Sequence, residues 1–231
     1  MALQTSTGAP FQIIRPQSFY TLEGVMLPSG AYGNVQVTEN LLDGGRSRTQ
    51  AGWLEYRNQT GLGPGSGPLI TAVLTAGFDN QGLEGVKDLR KLFTDDFRTR
   101  VMTTATGITY RAEEPDLVTH DFGTPAAHTL EARLVGPDGR INAEMGDITQ
   151  ALLGNGNALQ VRDVYKWVTG RESYLWRFNE RPKQNQERAL VLGGIVGFSG
   201  GFYVLADVGI GNGRPARGVR VAPQSSTGSK G

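Results

Sequence analysis

Ala189-Leu-Val-Leu-Gly-Gly-Ile-Val-Gly-Phe-Ser-Gly-Gly-Phe-Tyr-Val-Leu-Ala206 runs for eighteen residues without a charge. How this stretch folds decides how the rest of the chain is read. As a helix it approaches the roughly 20 apolar residues that a membrane span needs, and its five glycines would suit close helix packing in lipid. As two strands, 189–198 and 202–210 would flank Ser199-Gly200-Gly201, a good turn sequence. Val191, Ile195, Val196, Tyr203 and Val204 favour the strand. The run falls short of a full span. Asp207 bounds it, and drawing that carboxylate to the bilayer centre costs about 2.5–3.5 kcal/mol. A hairpin over 189–210 is the expectation, with a span at 189–206 as the alternative. Strands this apolar on both faces must be covered twice, either centrally in a sheet or by another subunit.

The same strand-and-turn texture extends towards the N-terminus. Residues 11–14, 19–27 and 32–42 read as short strands separated by Pro16, Pro28-Ser-Gly30 and Asp43-Gly-Gly45. Trp53, Glu55 and Arg57 share one face of a further run, with Leu54 and Tyr56 on the other. Residues 58–68 carry Gly or Pro at six of eleven positions, and 57–68 is expected to be an exposed loop. Residues 69–78 read as a buried strand. Over 83–102, Leu83, Val86, Leu89, Leu92, Phe93, Phe97, Val101 and Met102 follow the helical period, with charged residues opposite. A strand is expected at 108–111. Gly136-Pro-Asp-Gly139 fits a type I turn between 128–135 and 140–142. Asp147 is a candidate N-cap for a short helix ended by Gly154. Val161, Val164, Tyr165 and Val168 mark another helix, ended by Gly170. Tyr174, Trp176 and Phe178 form the aromatic face of a strand, and 219–221 is the last strand. The expected fold is α+β. It is a β-rich sandwich or barrel-like sheet with one long amphipathic helix and one or two shorter ones. A single domain over 10–221 lies between polar arms at 1–9 and 222–231.

Composition excludes several classes. The 231 residues include no Cys, so disulfide scaffolds, Cys-zinc sites and thiol nucleophiles are absent. Gly is 33 and Pro 11, together below the ~25–30% that marks low complexity. Lys plus Arg is 23 against 22 for Asp plus Glu, which gives no general attraction to nucleic acid or anionic lipid. The first residues have neither a basic nor an apolar leader segment, so no secretory signal is expected.

The chemistry-bearing motifs are sparse. Gly197-Phe-Ser-Gly-Gly201 matches the nucleophile elbow G-x-S-x-G, but no His follows Ser199; the two histidines are His120 and His128. His120, Asp121 and His128 are metal-ligand types at no recognised spacing. Glu113, Glu114 and Asp116 could supply an acid–base pair, although carboxylates around a proline more often form a solvated loop. Asp95-Asp96 reads as a solvated helix face. No phosphate-binding glycine motif occurs, so no cofactor or metal is expected. Arg214, Arg217 and Arg220 make a local basic segment that could touch nucleic acid or an acidic neighbour. Arg outnumbers Lys 18 to 5, and Arg is the cation preferred at protein interfaces.

Many short strands, Gly-rich connections, two polar arms and an over-apolar hairpin resemble, in general texture over the whole chain, the virion structural proteins of tailed bacteriophages. Tail, connector, baseplate and small capsid subunits are of this kind. The resemblance implies a non-enzymatic subunit, assembled in the host cytoplasm into a virion, with copies of itself and other virion proteins as partners. It would oligomerise by sheet pairing and arm exchange. On that reading the interface draws on Tyr174, Trp176, Phe178, Phe198, Phe202, Tyr203, Arg214 and Arg217. A membrane-anchored envelope component and an enzyme built on 113–128 are the rivals.

Overall fold

The computed structural model describes residues 12–14, 19–130, 139–177, 181–194 and 200–222. The architecture is α+β. Among the described residues there are ten strands in two sheets and five α-helices. The first sheet has the order β1-β2-β3-β10 and is antiparallel throughout, with β1 Gln12–Ile14, β2 Phe19–Met26, β3 Tyr32–Leu41 and β10 Arg217–Val221. The second has the order β6-β5-β4-β8-β9-β7. Its strands are β4 Val101–Tyr110, β5 Asp116–His120, β6 Ala126–His128, β7 Ser173–Trp176, β8 Gln186–Gly193 and β9 Phe202–Gly209. Only the β7–β9 pairing is parallel.

The decisive apolar stretch forms antiparallel strands β8 and β9 at the centre of the larger sheet, so the expected strand pairing is what is found. Residues 195–199 lie outside the described residues. The two-residue period of a strand explains how so much apolar surface is hidden. Leu190, Leu192, Phe202, Val204 and Ala206 enter the main core, while Ala189, Val191, Tyr203 and Leu205 enter a second cluster on the opposite face. Val101, Tyr174, Trp176 and Val208 pack on that second cluster. Both faces are therefore covered by the chain itself. No helix among the described residues is long and apolar enough to cross a membrane.

Five helices fill the rest: α1 Gln50–Thr60, α2 Gly67–Asp79, α3 Val86–Thr99, α4 Gly146–Leu153 and α5 Ala158–Thr169. Two of them occupy stretches that read as strands. In α1, Thr49 caps the N-terminus by accepting from the Gly52 amide, and Gly61 ends it in the left-handed region. Only Trp53 of this helix is fully buried, so its sequence carries almost no helical period. Helix α2 has the opposite character: Leu69, Ile70, Thr71, Val73, Leu74 and Gly77 are all buried. A helix apolar all round lies in a core and shows no period. Its start is marked by Pro68 in the first turn.

The expected exposed loop at 57–68 is corrected by the same geometry. Residues 57–60 are the last turn of α1, 67–68 open α2, and 63–68 are buried. The Gly65 carbonyl accepts from the Ala105 amide, and the Gly65 amide donates to the Arg217 carbonyl. A Cβ on Gly65 would stand 2.6 Å from the Val219 side chain, and one on Gly67 would stand 2.4 Å from the Leu152 carbonyl oxygen. These glycines permit close approach rather than supply freedom.

Smaller boundaries shift for local reasons. Helix α3 spans 86–99 rather than 83–102, because Arg100 is extended and Val101-Met102 pair with Gly193 and Leu192 of β8. Strand β4 consequently starts well before 108. Gly146 opens α4, and Asp147 lies in its first turn rather than at the cap. The expected turn at 136–139 falls largely outside the described residues, as do both arms but for Ala222.

The first sheet is tied to α3 by a buried ion pair. Arg217 of β10 donates from Nε to Asp96 Oδ2 at 2.5 Å and from Nη2 to Asp96 Oδ1 at 3.0 Å, and its Nη1 reaches the Thr38 carbonyl at 2.5 Å. Asp96, expected on a solvated face, lies on the buried side of α3 and is 7% exposed.

Candidate interaction cleft

The residues singled out for an interface do not converge on one surface. Phe202 is 1% exposed, stacked on Tyr165 at 4.7 Å and beside Phe97 at 5.1 Å. Tyr203 is buried against Tyr174, with ring centroids 5.5 Å apart, and against Trp176 at 5.9 Å. Tyr174 and Trp176 are half-buried on the edge strand β7. Trp176 also hydrogen-bonds Asp207, whose carboxyl is raised above its ordinary range mainly by burial. Phe178 and Phe198 lie outside the described residues. Arg217 is buried in its pair with Asp96. Arg220 is half-buried over the Phe19 ring and donates to Gln36 Oε1. Arg214 donates to the Gly213 carbonyl, and its own carbonyl accepts from Trp53 Nε1. The three arginines thus do not form one exposed basic patch.

The candidate chemical residues also separate. Ser199 lies outside the described residues. Glu113 and Glu114 are exposed in the turn before β5, while Asp116 is buried. His128 sits on edge strand β6, and no group of three metal-ligating side chains occurs among the described residues. His120 and Asp121 instead join a polar cluster at the start of α2. Thr106 Oγ1 accepts from the Gly67 amide at 3.0 Å and lies 2.9 Å from His120 Nδ1. His120 Nε2 faces the Ala151 carbonyl at 3.0 Å. That carbonyl can only accept, so Nε2 carries the proton and the Thr106 hydroxyl donates to Nδ1. Burial is the main cause that lowers the His120 pKa below its ordinary value. Ser66 Oγ donates to Asp121 Oδ2 at 3.2 Å, and burial raises the Asp121 carboxyl. Thr106 and Ser66 are 0% and 1% exposed, while His120 is half-buried and Asp121 lies at the surface, and the cluster joins α2 to β4, β5 and α4.

An open site lies elsewhere. The β2–β3 hairpin, helix α2 and the α4–α5 connection enclose a cleft of about 530 Å³. Strand pairing sets Met26 directly opposite Tyr32 at the hairpin tip. Both are exposed, at 55% and 51%, and they form an apolar rim. The opposite wall is polar: Thr75, Asp79 and Asn80 come from α2 and its end, and Gln150, Asn155 and Gln160 from the α4–α5 region. Thr75 Oγ1 is buried without a hydrogen-bond partner, and partial burial raises the Asp79 carboxyl. An apolar lip over amides, a hydroxyl and one acid suits an extended polar segment anchored by a few apolar contacts. Three segments far apart in the chain build this cleft, so no local motif signalled it.

No family model matches the chain, and no curated protein matches it. One solved structure, from work described as "Accommodation of massive sequence variation in Nanoarchaeota by the C-type lectin fold", aligns over 78% of this chain and 100% of its own. Its identity is 12% and its TM-score 0.39, a likeness that carries no argument about this protein.

Proposed function

We propose that this chain is a non-enzymatic structural subunit that assembles with copies of itself, of the kind represented by tailed-bacteriophage virion proteins. The observation that supports the reading is the exposed Met26–Tyr32 pair on the lip of the cleft. The 189–206 stretch contributes nothing to it, because its described residues are covered internally. The occupant we assign to the cleft is residues 223–231 of a second copy. Strand β10 runs antiparallel to β3, and the Ala222 amide donates to the Asn34 carbonyl at 2.7 Å, so the chain leaves the sheet beside the same hairpin tip. Nine further residues reach up to about 30 Å. Pro223-Gln-Ser-Ser-Thr-Gly-Ser-Lys-Gly231 offers hydroxyls and an amide to the polar wall, and Lys230 offers a cation to Asp79.

The test is the mass in solution at tens of micromolar, by size exclusion with light scattering. The wild type should exceed 24.9 kDa. A Met26→Glu/Tyr32→Glu double variant should run as a monomer with an unchanged circular dichroism spectrum. Lys230→Glu should weaken assembly in low salt. A wild type that stays monomeric across the range, or a double variant that assembles as before, overturns the proposal. Negative-stain images then distinguish tubes, rings and shells.

A further inference from the structure

A second, smaller cavity carries a chemistry that the cleft does not. It measures about 340 Å³ and lies at the end of the larger sheet, lined among others by Arg111, Glu114, Asp116, Thr129, Arg177 and Arg181. Its volume falls at the low end of small-ligand sites. Arg177 is 4% exposed, yet its Nε and Nη1 have no hydrogen-bond partner. Its carboxylate neighbour is Asp116, whose Oδ2 stands 3.8 Å from Nη2, an ion-pair distance too long for a hydrogen bond. Asp116 cannot do better without losing another contact, because its Oδ1 accepts from the Arg111 amide at 3.0 Å. The Tyr110 ring lies 5.0 Å from the guanidinium and holds it in place.

A buried guanidinium with two idle N–H-bearing nitrogens is costly, and proteins ordinarily supply acceptors to such groups. Here a carboxylate is near but misaligned, and the remaining space is a cavity. Two more guanidiniums line it: Arg111, which pairs with the exposed Glu114, and Arg181, which is exposed. The Thr129 hydroxyl adds a further polar group. Three permanent cations face two carboxylates, so the lining has an excess positive charge. The planar fork of Arg fits an oxyanion with two or more oxygens better than it fits a halide.

We propose that this cavity binds a small free oxyanion, a phosphate or carboxylate group, with Arg177 as the buried anchor and Arg111 and Arg181 closing on it from the mouth. The site is independent of the assembly cleft and lies on different elements. It is tested with the full chain, by thermal denaturation and isothermal calorimetry against inorganic phosphate, succinate and sodium chloride at matched ionic strength. Phosphate or succinate should raise the melting temperature and give saturable heat, and chloride should do neither. Whichever anion wins identifies the group. Arg181→Ser, at an exposed position, should fold normally and weaken binding about tenfold, the worth of one charge-assisted bond. Arg177→Met should abolish binding; if that variant does not fold, Arg111→Ser takes its place with the same expected tenfold loss. The proposal is overturned by the absence of binding to either oxyanion at 10 mM (about the weak limit of a useful site). An equal response to chloride, or affinity unchanged in Arg181→Ser, also overturns it.

Discussion

Removing either partner of the Arg217–Asp96 pair should be among the most damaging single changes in the protein. Both residues are almost fully buried, at 6% and 7% exposure, and their side chains meet through two hydrogen bonds, with a third from Arg217 to the Thr38 carbonyl. The pair joins β10 of one sheet to α3, which packs on the other. Arg217→Met leaves the Asp96 carboxylate buried without its counter-ion, and Asp96→Leu leaves the guanidinium with the Thr38 carbonyl. Breaking one side of such a pair costs about 3–5 kcal/mol. In a domain of this size each kcal/mol lowers the melting temperature by about 2–4 °C, so either single variant should melt at least ~6 °C lower. The double variant Arg217→Met/Asp96→Leu removes both charges together and should recover most of the loss, because a well-packed apolar pair is often neutral relative to a buried ion pair. Urea unfolding measures all four proteins as a double-mutant cycle. Single variants that cost under about 1 kcal/mol, the worth of a surface ion pair, would refute the argument. So would a double variant that loses the sum of the two.

Three further outcomes follow from other sites. The His120 pKa is lower in the folded chain than unfolded, so the unfolded state binds more protons. Its contribution to stability is therefore full above about pH 6.5 and declines as pH falls through that value towards the lowered folded one. Chemical denaturation between pH 7.5 and 5.5 should record the decline, and His120→Gln should flatten it. Gly67→Ala should cost at least ~1–3 kcal/mol by thermal unfolding, since its Cβ would stand 2.4 Å from a backbone oxygen that cannot turn aside; Gly82→Ala, with nothing within 4 Å, should be close to neutral. Trp53→Phe removes the indole donor to the Arg214 carbonyl from a fully buried position, at about 1–3 kcal/mol in urea unfolding.

What the sequence made legible depends on which interactions hold each element. Strands β2, β3, β8, β9 and β10 were visible because β-branched and aromatic runs end at turn residues. Helices α3 and α5 were visible because each has one apolar and one charged face. Helices α1 and α2 were not, for opposite reasons. Trp53 alone of α1 is fully buried, so there is no stripe to read, while α2 is apolar along nearly its whole length, including the half-buried Ala72, Ala76 and Phe78, so the stripe has no edge. The signals that remained were caps: Thr49 and Gly61 around α1, and Ser66 and Pro68 at the start of α2. The glycine-rich stretch 61–67 misled because glycine serves two ends. It can loosen a loop, and it can also admit backbone where a Cβ would collide. Only the partner across the gap, here Val219 and Leu152, decides between them.

The sites were less legible than the fold, and the reason is topological. Asp96 and Arg217 are 121 residues apart, and Asp116 opens β5 whereas Arg177 follows the end of β7, at the other edge of the larger sheet. Composition records that both charges exist and says nothing about which ones meet. The two arginines then differ in a way that the structure alone exposes. Arg217 has acceptors on Nε, Nη1 and Nη2, whereas Arg177, equally buried, has Nε and Nη1 idle beside a misaligned Asp116. A buried cation that is fully matched is a structural tie, and its loss should register in stability alone. A buried cation left half-matched beside a cavity should register in anion binding. Arg217→Met and Arg177→Met, compared in the same phosphate titration, therefore separate the two roles. The first should lower the melting temperature while the phosphate-induced rise persists, and the second should abolish that rise.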